Sequence, residues 1–171
     1  MEENMYKKYW TILILFLIAA VCSAYSEDAA KSAPNIDGTY RLVSRFQVAD
    51  SSTVTAPDIF GMATFEKGHR STIISWRDQN GMVFASSIIA KFTFTDSSYS
   101  ETILFGSTHN EIAGQPIKYN FEGQSGSSPV KRDGSKLTFK LPLGAPVLTF
   151  DGDKLISTVE KVSIDTWERI K

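Results

Sequence analysis

Thiols are almost missing from this chain: Cys22 is the only cysteine among 171 residues. It sits at the end of an apolar run, so if a leader is cut after Ala24 the remaining chain has no disulfide and no thiolate nucleophile or ligand. Histidine is nearly as scarce. His69 and His109 lie 40 positions apart, with no His-x-His or His-Glu-x-x-His spacing. A zinc site of three or four ligands in tight geometry is therefore not expected, and no metal or other cofactor is assigned. Charge of either sign is not in excess. Eighteen Lys and Arg face 19 Asp and Glu, for a net charge of −1. Without a basic field to attract phosphate backbones, nucleic acid is not an expected partner. Gly-x-Ser-x-Gly and glycine-rich phosphate loops are also lacking, which removes the usual signatures of serine hydrolases and nucleotide enzymes. Apart from Ala85–Ala90, no stretch carries a helical apolar rhythm.

What is present is a leader-like start followed by strands. Lys7 and Lys8 precede the apolar run Trp10–Val21, and Cys22-Ser23-Ala24 offers small residues for cleavage. The run of about 12 residues falls short of the roughly 20 needed to span a bilayer. Residues 1–24 are thus expected to be a signal peptide, giving a secreted or periplasmic protein with no stable membrane span once the leader is removed. A lipid anchor at Cys22 is the alternative, weakened by Val21 where a small residue is wanted. Residues 25–35 are polar and aperiodic and read as a flexible lead-in to a single domain, 36–171.

From Ile36 onward the period is two. Strands are expected over Gly38–Gln47, Phe60–Glu66, Thr72–Trp76, Met82–Thr95, Tyr99–Phe105, Ile117–Phe121, Leu137–Leu141, Val147–Phe150, Leu155–Val162 and Ile164–Ile170. In the first, Tyr40, Leu42, Ser44 and Phe46 alternate against Arg41, Val43 and Arg45. Turn residues separate the runs, with Asn80-Gly81 the strongest hairpin signal. Short connections impose antiparallel pairing. The expectation is an all-β domain, a closed antiparallel up-and-down β-barrel of about eight to ten strands, favoured over a sandwich because closure removes edges.

Ile36-Asp37-Gly38-Thr39-Tyr40-Arg41-Leu42-Val43-Ser44 resembles the opening strand of bacterial lipocalin-like domains, and Asp165-Thr166-Trp167-Glu168-Arg169 resembles their last strand. Tyr40 stands where Trp is commoner, and the helix that often follows animal lipocalin barrels is not present. The resemblance implies that Tyr40 plugs the closed end and that Arg169 packs over it. Such a contact contributes ~0.5–2 kcal/mol.

A barrel of this size holds side chains or one small ligand. In the long middle strand Phe84, Ile88, Phe92 and Phe94 share a face with small Ser86 and Ala90, which make room. The expected pocket lining is Trp76, Phe84, Ile88, Phe92, Tyr99, Glu101 and Tyr119. If Glu101 faces inward it needs a partner, with Arg45, Arg77 and His69 the candidates; otherwise it points to solvent. Val48–Asp58 is a candidate lid, and Ser107–Pro116 and Gly123–Pro129 read as long connections. The leading functional expectation is a non-catalytic carrier of a small apolar molecule. The alternatives are an isomerase or cyclase using Glu101 or His69, with no catalytic residue assigned, and an interaction module with a filled core. The ligand and the oligomeric state are not specified by the sequence.

Overall fold

The computed structural model describes residues 35–171 except Gln79 and Glu122. The expected signal peptide, Cys22 and the lead-in up to Pro34 lie outside the described residues. Ile36–Lys171 forms one unit. Its elements are β1 (Gly38–Gln47), β2 (Ser52–Thr55), β3 (Ile59–Glu66), β4 (His69–Arg77), β5 (Val83–Phe94), β6 (Ser98–Asn110), β7 (Gln115–Asn120), β8 (Ser125–Pro129), β9 (Lys131–Asp133), β10 (Lys136–Lys140), β11 (Val147–Asp151), β12 (Lys154–Val159) and β13 (Ser163–Arg169). There is no helix among the described residues, and none long and apolar enough to cross a membrane.

All pairings are antiparallel. The order is β7-β6-β5-β4-β3-β1-β13-β12-β11-β10-β9, with β2 added to β1 and β8 to β6. The hairpin at Asn80-Gly81 forms as its residues require: Gly81 takes φ 78° and the Gly81 amide donates to Asp78 O at 3.0 Å. First and last long strands pair directly, Tyr40 opposite Arg169 and Arg45 opposite Asp165.

Closure is where the expectation fails. No ladder joins β7 to β9 among the described residues, and the sheet is a strongly curled half-barrel, open rather than closed. The local chemistry explains why. β9 already takes the outer edge of β10 from Lys136 to Thr138, and Pro142, just beyond β10, has no amide to donate. The two flanks still meet through side chains. Ser128 Oγ donates to Lys140 O at 2.5 Å, and the Tyr99 and Phe139 rings stack at 4.3 Å. Gly126 of β8 permits this approach, since a Cβ there would lie 2.9 Å from Pro142 Cβ.

Besides β9, which falls where turn residues were expected, three segments differ from the sequence expectation. Ser52–Thr55, within the candidate lid, is a strand laid against Ser44–Gln47 of β1. Ser125–Pro129, read as a connection, is a strand paired with Ser98–Thr102 of β6. Ser107–Asn110, also read as a connection, continues β6 and pairs with β5. All are short or polar, with little apolar alternation to reveal them.

Side chains on the concave face build the core in two zones. At the end carrying the β3–β4, β5–β6 and β11–β12 turns, aromatics fill the space. Tyr40, Phe65, Phe92, Tyr99, Phe139 and Phe150 are buried there in one cluster, edge-on or stacked at 4.3–6.4 Å. Toward the opposite end the packing gives way to a cavity.

Candidate functional site: an apolar cavity with two buried ion pairs

The cavity has a volume of about 260 Å³. That exceeds the roughly 150 Å³ that suffices for benzene in an apolar protein interior. It lies just under the roughly 300–1,000 Å³ of drug-sized sites. Its apolar wall comes from Ile74 and Trp76 of β4, Phe84 and Ile88 of β5, Ile103 of β6, Leu148 of β11, Leu155 of β12 and Trp167 of β13. Ala63 and Phe65 of β3, Val159 of β12, and Leu141, Leu143, Gly144 and Pro146 of the β10–β11 loop complete it. Ser86, between Phe84 and Ile88, supplies the space that a larger residue would occupy.

Two arginines enter this apolar wall, each paired. Arg45 meets Asp165 bidentately, Nε to Oδ1 at 2.7 Å and Nη2 to Oδ2 at 2.8 Å. The Arg45 guanidinium also lies 3.8 Å from the centre of the Trp76 ring, which stacks on Phe84 at 4.0 Å. Arg70 donates to Glu101 Oε2 from Nε at 3.0 Å and approaches it with Nη2 at 2.8 Å. Its Nη1 donates to Thr72 Oγ1 at 3.1 Å, and the Tyr99 hydroxyl donates to the same Glu101 oxygen at 2.9 Å. Burial, more than any neighbour, pushes the Tyr99 hydroxyl far above its ordinary pKa, so it stays a donor.

A backbone irregularity puts Arg45 inside, while Asp165, Arg70 and Glu101 face inward by plain alternation. β1 and β13 slip register between Leu42 and Ser44. Tyr40 and Leu42 point inward before the slip; beyond it Arg45 is buried and Phe46 is exposed, the reverse of a strict alternation. β6 shifts against β5 where Ile89 faces Phe105 and Ala90 faces Ile103. Tyr99, Glu101 and Ile103 face inward by plain alternation, whereas beyond the shift Phe105 packs at 5.4 Å on Phe121, which is 68% exposed.

The expected lining residues divide accordingly. Trp76, Phe84, Ile88 and Glu101 border the cavity. Phe92 and Tyr99 lie in the packed aromatic zone. Tyr119, 62% exposed on β7, borders a second hollow at the open seam, which shares Ile88, Ile103 and Leu143 with the cavity. Glu101 is 3% exposed, so the solvent-facing alternative does not hold, and its partner is Arg70 instead of Arg45, Arg77 or His69. His69 is exposed, with Nδ1 3.3 Å from Lys67 O. Arg70 was legible in principle: it shares parity with Thr72, Ile74 and Trp76. So was Asp165, in phase with Trp167 and Arg169.

At the packed end Tyr40 is fully buried. The Arg169 guanidinium lies 5.2 Å from its ring centre, and Nη2 donates to its hydroxyl at 2.7 Å. Gly38 makes the contact possible: its φ is +153°, and a Cβ would sit 3.1 Å from the Arg169 guanidinium. Desolvation raises the Tyr40 pKa, with Arg169 opposing.

Compared with known proteins, the chain matches no family model, and no curated protein or solved structure shows significant similarity to it.

Proposed function

We propose that this is an exported, lipocalin-like, non-catalytic carrier that takes one small hydrophobic molecule into the interior of the curled sheet. The observation that carries the reading is the cavity of about 260 Å³, walled mainly by aliphatic and aromatic side chains. Apolar burial contributes about 25 cal/mol per Å², so a molecule of one to three rings there gains affinity without any strong polar contact. The pairing of both carboxylates with arginines supports binding over catalysis. Glu101, offered above as an acid or base, has one oxygen engaged by both Arg70 and Tyr99. The signal-like start and the resemblance of the first and last strands to lipocalin-like domains support export and the family assignment.

The test is titration with the neutral dye N-phenyl-1-naphthylamine. Saturable, one-site fluorescence enhancement is expected in the parent protein and its loss in Ser86→Trp, a variant that fills the cavity while the far-ultraviolet spectrum stays unchanged. Enhancement that persists in a folded Ser86→Trp protein would place the dye elsewhere and count against the carrier reading.

A further inference from the structure

The polar part of the wall constrains what the carrier accepts, provided that the carrier reading holds. Two arginines and two carboxylates border the cavity, Arg45 with Asp165 and Arg70 with Glu101. The formal charge of the lining is therefore zero. Each carboxylate already neutralises its arginine at 2.7–2.8 Å. A ligand anion would enter a low-dielectric space with no uncompensated positive charge to receive it, next to two carboxylates that repel it.

The two guanidinium groups are not equally committed. Arg70 uses Nε and Nη2 on Glu101 and Nη1 on Thr72. Arg45 uses Nε and Nη2 on Asp165, and its Nη1 makes no hydrogen bond among the described residues. That nitrogen is not among the fully buried polar atoms without a partner, and the Arg45 side chain, which borders the cavity, keeps 9% exposure. Its position is fixed from two sides, by the Asp165 fork and by the face of Trp76 at 3.8 Å. A residue at the cavity's border thus keeps a donor N–H without a protein partner, and without a free charge.

We infer that the cavity selects neutral apolar molecules bearing one hydrogen-bond acceptor, such as a ketone, ester or amide carbonyl, and that Arg45 Nη1 donates to that acceptor. A pure hydrocarbon leaves the donor unused. A carboxylate of the same size contests Arg45 with Asp165 and brings a third negative charge into the cavity.

Three probes with the same ring system separate these cases: 2-acetylnaphthalene, 2-ethylnaphthalene and 2-naphthoate, titrated calorimetrically at pH 7. The ketone is expected to bind about ten- to a hundredfold tighter than the ethyl compound, the range for a hydrogen bond from a charged donor. Naphthoate is expected to bind more weakly than the ketone. The infrared carbonyl stretch of the bound ketone should move to lower frequency, a readout that requires no variant. In the double variant Arg45→Met/Asp165→Leu, which removes both charges together, the ketone's advantage over the ethyl compound should vanish. Equal binding of ketone and ethyl compound, or tightest binding of naphthoate, would overturn the inference and leave the carrier reading standing. If none of the three binds, the carrier reading itself fails.

Discussion

Removing the carboxylate of Glu101 should be among the most damaging single changes in the domain. Glu101→Leu leaves the Arg70 guanidinium, whose side chain is 2% exposed, with Thr72 Oγ1 as its remaining hydrogen-bond partner. Breaking a buried pair in this way costs about 3–5 kcal/mol. The Tyr99 hydroxyl loses its acceptor as well, adding about 1 kcal/mol. These contributions share one oxygen and are not additive, so a total of about 3–5 kcal/mol is expected. For a domain between the sizes that shift by 2–4 °C and 4–8 °C per kcal/mol, Tm should fall by at least about 10 °C. Urea unfolding followed by tryptophan fluorescence measures the loss directly. Combining Glu101→Leu with Arg70→Met should recover much of it, because an apolar pair of similar volume replaces the ion pair without leaving a bare charge. A Glu101→Leu protein within about 1 kcal/mol of the parent would refute the reasoning. It would mean that Glu101 faces water and that Arg70 is not buried against it.

Other consequences follow from the same geometry. Tyr40→Ala removes a fully buried ring and the seat of Arg169, and should destabilise the domain by about 3–5 kcal/mol in chemical denaturation; dye affinity in the folded protein should change little, since Tyr40 does not border the cavity. Gly126→Leu should drive β8 off Pro142 and Leu143, costing about 1–3 kcal/mol in the same assay; an unaltered midpoint would show that the seam is loose. The hydroxyls of Tyr40 and Tyr99 are both raised above 10.0 by burial, so the folded state favours their neutral forms. Their contribution to stability is complete below pH 10.0 and is lost as pH rises from there through the folded values. Denaturation midpoints should therefore fall above that pH, and less steeply in Tyr99→Phe.

The all-β, antiparallel character was legible because period-two alternation and turn residues agree over most of the chain, Thr72–Trp76 and Leu137–Leu141 being clear cases. Trp76, Phe84 and Ile88 could be placed on one wall for the same reason. Arg45 could not. One extra residue near Val43 reverses the faces of β1, and alternation read without that slip puts Phe46 inside. Phe105 was displaced from the inner face by the corresponding irregularity in β6. The short strands β2, β8 and β9 are mostly Ser, Thr, Gly and charged residues, with Val54 the one aliphatic side chain among them, so they show little apolar alternation. Open or closed depended on a detail with no periodic signature: β9 takes the outer edge of β10, and Pro142 follows directly. Charge pairing on the cavity wall is likewise a product of register. Arg45 and Asp165 are 120 residues apart in sequence and directly opposite in the sheet.

The claim underlying all of this is that the curled sheet forms an apolar cavity bordered by Ile74, Ile88 and Leu148. A crystal of the domain pressurised with xenon measures it most directly, because the gas settles in dry apolar cavities. Anomalous density for xenon beside those three side chains is the predicted result. An interior that takes up no xenon, with Trp76, Phe84 and Leu143 collapsed into it, would contradict the account.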